Sequence, residues 1–201
     1  MITVIDYGAG NLESVVKAFT FLGYETRVSA DENTILSSDK IVLPGVGAFG
    51  DAMKLLTETG LAETVKKAVN KGIPLFGICL GMQMLFESSE EGEDVPGLGI
   101  FKGRIKKFEA CPGFKIPQIG WNSISIREGS RLFKGIPDES YFYFVHSYYL
   151  DAEDEKVVAA KCDYIHPFHA AVEWENVFAC QFHPEKSGKV GLQVLKNFAE
   201  L

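Results

Sequence analysis

Short apolar runs alternate with amphipathic ones through the first half of the chain, and that alternation constrains the fold more than any other feature. Ile2 to Ile5 reads as a buried strand. Asn11 can cap a helix whose apolar face is Leu12, Val15, Val16, Phe19 and Leu22, the spacing of a 3.6-residue period, with Gly23 suited to its C-terminus. Tyr24 to Val28 reads as a second strand, and Lys40 to Leu43 as a third that ends in Pro44-Gly45-Val46-Gly47. Leu61 to Val69 reads as a helix with Leu61, Val65, Ala68 and Val69 on one face and Gly72 past its end. Ile73 to Ile78 is a fourth strand, with Pro74 at the start, where a strand tolerates it. Leu80 to Phe86 reads as helical. Strands and helices alternating in this way predict βαβ units and an α/β domain doubly wound about a largely parallel central sheet. Function in such sheets gathers at the carboxyl ends of the strands. The loops that leave those ends, after Asp6, Leu43 and Ile78, are all rich in glycine.

From about Phe101 the texture changes. Short alternating runs dominate: Ile100 to Phe108, Trp121 to Ile126, Tyr141 to Leu150, Val157 to Lys161 and Val177 to Phe182. Joined by Gly, Pro and Asp turns, they predict additional antiparallel or mixed strands in the second half. An amphipathic helix carrying Leu192, Leu195 and Phe198 closes the chain. No linker, repeat or low-complexity segment interrupts residues 1–201, so one domain is expected.

Composition narrows the function classes. The net charge is −7, which argues against a nucleic-acid partner, because phosphate binding wants a basic face. Met1 leads directly into a strand-like run with no basic segment before an apolar one, so no signal peptide is expected. No apolar run approaches the roughly eighteen residues that a membrane span needs. The four cysteines, Cys79, Cys111, Cys162 and Cys180, form no C-x-x-C pair. Four reduced thiols in the cytoplasm are the expectation.

One of those cysteines stands apart. In Gly77-Ile78-Cys79-Leu80-Gly81 a buried strand runs into a helix with a nucleophile at the turn and glycines two residues to either side. That is the logic of the nucleophile elbow, with cysteine in place of serine. The turn is tight and its neighbours must pack closely, which is why glycines are needed. The elbow lifts the sulfur out of the sheet edge and sets it at a helix N-terminus, where the macrodipole favours the reactive thiolate. The backbone N–H of Leu80 can then serve as one oxyanion donor. The bland alternative is a buried cysteine between incidental glycines, behaving as a small hydrophobe.

A thiol nucleophile needs a base, and the base needs a third group to hold its ring. His183 lies just beyond the Val177 to Phe182 strand, in His183-Pro184-Glu185. Pro184 biases His183 toward an extended conformation. In an extended segment His183 and Glu185, two residues apart, point the same way and can hydrogen-bond. The alternative is a surface turn. His146 is the rival base, but it sits inside an alternating strand and reads better as a packed or substrate-side histidine. His166 and His169 flank Pro167 in what reads as a solvated turn. The spacing of the histidines does not suggest a metal site.

Taken together these pieces resemble the class I (triad) glutamine amidotransferases, a flavodoxin-like family with a cysteine elbow and a late His-x-Glu. Within it, Tyr7 to Leu12, Pro44 to Phe49, Gly77 to Gln83, Gly120-Trp121-Asn122, Tyr143 to Tyr148 and Gln181 to Ser187 are similar to the glutaminase subunits of imidazole glycerol phosphate synthases. The motifs run from the first strand to the last helix.

The resemblance implies roles. Cys79 is the nucleophile, His183 the general base and acid, and Glu185 its orienter. Gly47 N–H joins Leu80 N–H in the oxyanion hole, after a peptide flip at Val46 that flanking glycines make conformationally easy. Gln83 is a substrate contact; Ser147 and Tyr148 hold the α-carboxylate of L-glutamine, and Glu91 holds its α-ammonium. The alternative for Glu91 is a solvated face, since Glu87, Glu90, Glu91, Glu93 and Asp94 form an acidic run. Asn11 and Trp121 resemble positions facing the partner, a (β/α)8-barrel cyclase subunit that receives ammonia; the alternative for Trp121 is a core aromatic. No cofactor is implied. Three other readings stay open: a sister glutaminase subunit serving another synthase, an elbow-cysteine hydrolase or chaperone of the same superfamily, and a non-catalytic interaction module.

Overall fold

The computed structural model describes residues 1–92 and 94–201. The first half builds β1 (Ile2–Ile5), α1 (Leu12–Phe21), β2 (Thr26–Ser29), α2 (Glu32–Leu36), β3 (Lys40–Gly45), α3 (Phe49–Glu58), α4 (Leu61–Asn70), β4 (Leu75–Cys79) and the single turn α5 (Leu80–Gln83). The second half builds β5 (Ser88–Ser89), β6 (Gly103–Lys107), β7 (Gln118–Ile126), β8 (Tyr141–His146), β9 (Tyr148–Ala152), β10 (Val158–Asp163), β11 (Pro167–Trp174), β12 (Val177–Cys180) and α6 (Gly188–Ala199).

One sheet joins both halves in the order β2-β1-β3-β4-β12-β11-β10-β7-β8, with β5, β6 and β9 branching from it. The strands from β2 to β12 are all parallel, and β11 turns the sheet antiparallel. The parallel order 2-1-3-4 followed by the last strand is the flavodoxin-like order. Side chains alternate across it with the period of two that a strand imposes. Ile41, Leu43, Leu75, Val177 and Ala179 join α3 and α4 in one core. Val42, Phe76, Ile78, Phe178 and Cys180 join α1 and α6 in the other. Phe76 stacks on Phe198 of α6 with centroids 5.1 Å apart. Burying each such ring contributes roughly 1.5–3 kcal/mol.

Several elements depart from the sequence expectation, each for a tertiary reason. The helix expected over Leu80 to Phe86 stops at Gln83. Past Gln83 the bonds tighten to i→i−3, Leu85 N–H to Met82 and Phe86 N–H to Gln83, and a returning segment meets the carbonyls beyond: Leu98 N–H donates to Met84, and Ile100 and Phe101 N–H to Leu85. The expected turn around Pro167 is instead the start of β11, an interior strand whose Phe168 to Glu173 are all buried. Proline is tolerated there because it is the first residue of the strand. His169 is therefore not in a solvated turn; it accepts the Ala152 N–H at 3.0 Å and meets Glu155 at 3.1 Å. Helices α2 and α3 are additional; Asp31 caps α2 by accepting the Thr34 N–H at 2.7 Å. Asn11 precedes α1 but makes no side-chain cap bond. The Tyr141 to Leu150 run is two strands: β8 pairs β7, β9 pairs β6 and β11, and Ser147 sits at the break. Glu93 of the acidic run lies outside the described residues. No described helix is long and apolar enough to cross a membrane.

Far from the carboxyl ends of the parallel strands, Glu173 of β11 anchors the connection before β8. It accepts from Ser130 Oγ at 2.6 Å, Arg131 Nε at 2.8 Å and Leu132 N–H at 3.1 Å. Burial pushes its carboxyl up, but these donors outweigh burial and hold it below the usual glutamate value of 4.5. A depressed carboxylate stabilises the fold above its unfolded value and loses that contribution as pH falls through the folded one. Glu173→Ala is expected to lower stability by about 2–4 kcal/mol at neutral pH. Denaturant titration checks this, and the difference from the parent protein shrinks as the pH is taken below the ordinary glutamate range.

Candidate active site

Cys79 ends β4 at φ +55°, ψ −110°, a left-handed conformation that non-glycine residues avoid. Such strain persists only where surrounding structure over-determines it. Here the glycines do that. A Cβ on Gly81 would lie 1.9 Å from the Leu43 carbonyl oxygen, and one on Gly77 would lie 3.0 Å from Gly81 O. A Cβ on Gly45 would meet Gly81 N and Leu80 Cβ, both at 2.8 Å. Elbow and β3 are thus pressed backbone to backbone, with Gly45 in register with Cys79. Gly45 is needed for this approach, not for flexibility; the positive φ of +96° belongs to Gly47. Because α5 is a single turn, the macrodipole expected at Cys79 is a short one, and the local N–H groups matter more.

His183 is fixed by its backbone. Its N–H donates to Tyr143 O at 3.0 Å, and its carbonyl accepts from Ser187 Oγ at 2.7 Å. Ser187 Oγ in turn accepts the Tyr143 N–H at 2.9 Å. The ring Nδ1 meets Glu185 Oε1 at 2.8 Å, which leaves Nε2 for the pocket that His183 lines together with Cys79. Sequence reasoning paired His183 with Glu185 through an extended segment. The contact forms, but by another route: His183 is extended at φ −99°, ψ 97°, and Pro184–Lys186 is a 3-10 turn that folds the carboxylate back.

The two buried histidines are sorted by electrostatics. Burial would lower His183, but its bonds to Cys79 and Glu185 outweigh burial and raise it to about 10. Burial pushes His146 down to about 4, so at neutral pH it is uncharged and its Nδ1–H donates to Tyr148 O at 2.8 Å. His146 is thus a packed, uncharged histidine that lines the pocket. All four cysteines are free. Burial raises the Cys162 thiol to about 12 and Cys180 well above its ordinary value, which leaves both inert.

A pocket of about 350 Å³ opens over the sulfur. Gly47 and Leu80 line it, as do Gln83 and Glu91, and Ser147 and Tyr148 at the β8–β9 break. Glu91 accepts the Phe49 N–H at 2.9 Å, so one carboxylate oxygen caps α3, the helix that follows the Gly47 loop. Burial raises the Glu91 carboxyl, while this bond lowers it. Asn11 and Trp121 lie outside the pocket. The loop bearing Asn11 packs through Gly10 toward Pro44, 3.6 Å from a Cβ placed on that glycine. Trp121 is 52% exposed on β7, edge-on to Tyr143, and is not a core aromatic. Sequence reasoning missed Gln181, whose Nε2 donates to Cys79 Sγ at 3.5 Å, and Lys186, which lines the pocket. Their only signal was membership of the late Gln181 to Ser187 segment. Among the described residues, no three His, Cys, Asp or Glu side chains converge as metal ligands.

The family model described as "Glutamine amidotransferase class-I" matches residues 3–201. The chain belongs to the class-I glutamine amidotransferase family. It is 48% identical to "Imidazole glycerol phosphate synthase subunit HisH" of Caldanaerobacter subterraneus subsp. tengcongensis, over all of this chain and 98% of that one. It is 49% identical to the HisH subunit of Chlorobium luteolum, with both chains fully covered. Two solved structures share its fold: a glutamine amidotransferase with TM-score 0.77 at 21% identity, covering 99% of this chain and 97% of that one, and PurLQS from Thermotoga maritima with TM-score 0.76 at 21% identity and the same coverage. Class-I amidotransferase chemistry starts at glutamine, which sets the following expectations.

Glu185→Gln removes a charge that holds the His183 proton. The alkaline limb of kcat/KM for glutamine hydrolysis is expected to move down from near pH 10 toward the ordinary histidine range, checked by the pH–rate profile. Gly81→Ala forces the elbow away from Leu43 O and shifts the Leu80 N–H beside Cys79; hydrolysis is expected to fall about 100-fold or more, measured beside a melting curve.

Proposed function

We propose that this chain is a glutaminase subunit, a single catalytic domain over residues 1–201, that supplies ammonia to the cyclase subunit of an imidazole glycerol phosphate synthase in histidine biosynthesis. The observation that carries it is the convergence in one pocket of an elbow thiol, a histidine backed by Glu185 at 2.8 Å, and the end of β3. Near-half identity to HisH subunits supports the choice of synthase over sister amidotransferases.

In this reading Cys79 Sγ attacks the δ-carbonyl carbon of glutamine. The oxygen becomes an oxyanion that accepts from the N–H groups of Leu80 and Gly47. His183 gives its proton to the amide nitrogen, the C–N bond breaks, and ammonia leaves a thioester on Cys79. Water, losing a proton to His183, attacks the thioester and releases glutamate and the thiol. Glu185 holds the imidazole and balances its charge. Ser147 and Tyr148 take the α-carboxylate, while Glu91 and Gln83 Oε1 suit the α-ammonium. The lyase step belongs to the complex. The partner is a (β/α)8 barrel docked on the face carrying Asn11 and the exposed Trp121, and four free thiols suit a reducing cytoplasm.

Val46, 42% exposed between two glycines at the pocket rim, is the peptide whose flip completes the hole. The isolated chain is therefore expected to be a poor glutaminase, and the barrel partner to raise its rate by about two to three orders of magnitude. Ammonia release from glutamine, measured for wild type and Cys79→Ala with and without the partner, decides this. A fast wild type without partner sinks the flip; no ammonia under any condition sinks the enzyme reading.

A further inference from the structure

Gln181 is a fully buried amide between β12 and His183. Its Nε2 reaches the nucleophile, 3.5 Å from Cys79 Sγ. Which end of a glutamine amide faces which neighbour is set by its hydrogen-bond partners. Here the fixed point is a backbone carbonyl, Tyr148 O, which can only accept. Gln83 must turn its Nε2 to it, at 3.2 Å. The same nitrogen donates its second hydrogen to Gln181 Oε1 at 2.9 Å. Both hydrogens of Gln83 are then used, and Gln181, presenting oxygen to Gln83, has its NH2 group left for the sulfur. One carbonyl thus polarises a chain of two buried amides that ends on the thiol.

We propose that Gln181 is a further catalytic residue: it donates an N–H to the Cys79 sulfur and favours the thiolate, and Gln83 sets its orientation from the Tyr148 carbonyl. The inference deepens the glutaminase reading and rests on it for the choice of Cys79 as nucleophile. An N–H aimed at a thiolate is a charge-assisted bond, stronger than the one to the neutral thiol, so it shifts the balance toward the reactive form. The relay also links recognition to chemistry, because Tyr148 lines the substrate pocket. It leaves Gln83 only Oε1, an acceptor, to offer a substrate.

The test reads the thiol directly. The full chain is alkylated with iodoacetamide across a pH series, and modification of the Cys79 peptide is followed by mass spectrometry. Gln181→Met keeps the volume and removes the donor. It is expected to alkylate about tenfold more slowly than wild type at neutral pH and to match wild type at strongly alkaline pH, where both thiols are ionised. Gln83→Met leaves Gln181 in place without the group that turns its amide, and is expected to show the same convergence from about a threefold deficit. If Gln181→Met does not fold by circular dichroism, Gln83→Met decides. A profile that coincides with wild type overturns the proposal, as does a deficit that stays constant with pH, which reports altered access or packing. Glutamine turnover is not needed. Converging profiles in a chain that releases no ammonia with any partner would sink the glutaminase reading, and with it the catalytic role, and leave standing only the contact by which Gln181 favours the thiolate.

Discussion

The Leu43 carbonyl rests where the Cβ of residue 81 would be in any amino acid but glycine, 1.9 Å from an ideal Cβ position. The rest of the site depends on that approach. Because β3 and the elbow touch backbone to backbone, the thiol at the end of β4 and the Gly47 loop at the end of β3 share one pocket. The strained φ of Cys79 is tolerable because this packing leaves it no relaxed alternative. Flavodoxin-like wiring then brings β12 beside β4 in parallel, with Cys180 in register with Ile78, so the chain leaving β12 delivers Gln181 and His183 to the same edge.

Burial is the second constraint, and it acts with opposite sign on neighbouring groups. His183 and His146 are both buried, and desolvation alone would strip the proton from each. Only His183 has a carboxylate and a sulfur to oppose it, so one histidine is driven up to about 10 and the other down to about 4. Glu185 meets the His183 ring from behind, at 2.8 Å from Nδ1 and outside the pocket lining. Burial disfavours the thiolate at Cys162 and Cys180, and neither of them lines the pocket that Cys79 does.

The strands of the second half serve the site through their irregularities. The break between β8 and β9 puts Ser147 and Tyr148 across the pocket from the elbow. Residues 97–101 return over the segment that follows α5 and bond its carbonyls. Ser187 ties His183 to β8, whose neighbour β7 carries the exposed Trp121. The exposed face of β7 is thus one strand from the backbone that holds His183.

What the sequence determined by itself is what local periodicity and short motifs encode. The strands β1 to β4, the helices α1, α4 and α6, the elbow glycines and the pairing of His183 with Glu185 were all legible, because apolar spacing and turn residues act over a few neighbours. Family resemblance extended this to Gln83, Glu91, Ser147 and Tyr148, which the fold gathers into one pocket. Only the tertiary structure decided the rest. Whether Pro167 opened a turn or a strand depended on β10 and β9 lying ready on either side. Past α5, the carbonyls of Met84 and Leu85 find their donors in a segment some fifteen residues on. The orientation of Gln181 toward the sulfur depended on Tyr148, more than thirty positions away in the chain, and the choice between two histidines on which one had a carboxylate behind it. These are long-range hydrogen bonds and desolvation energies, and a linear pattern carries neither.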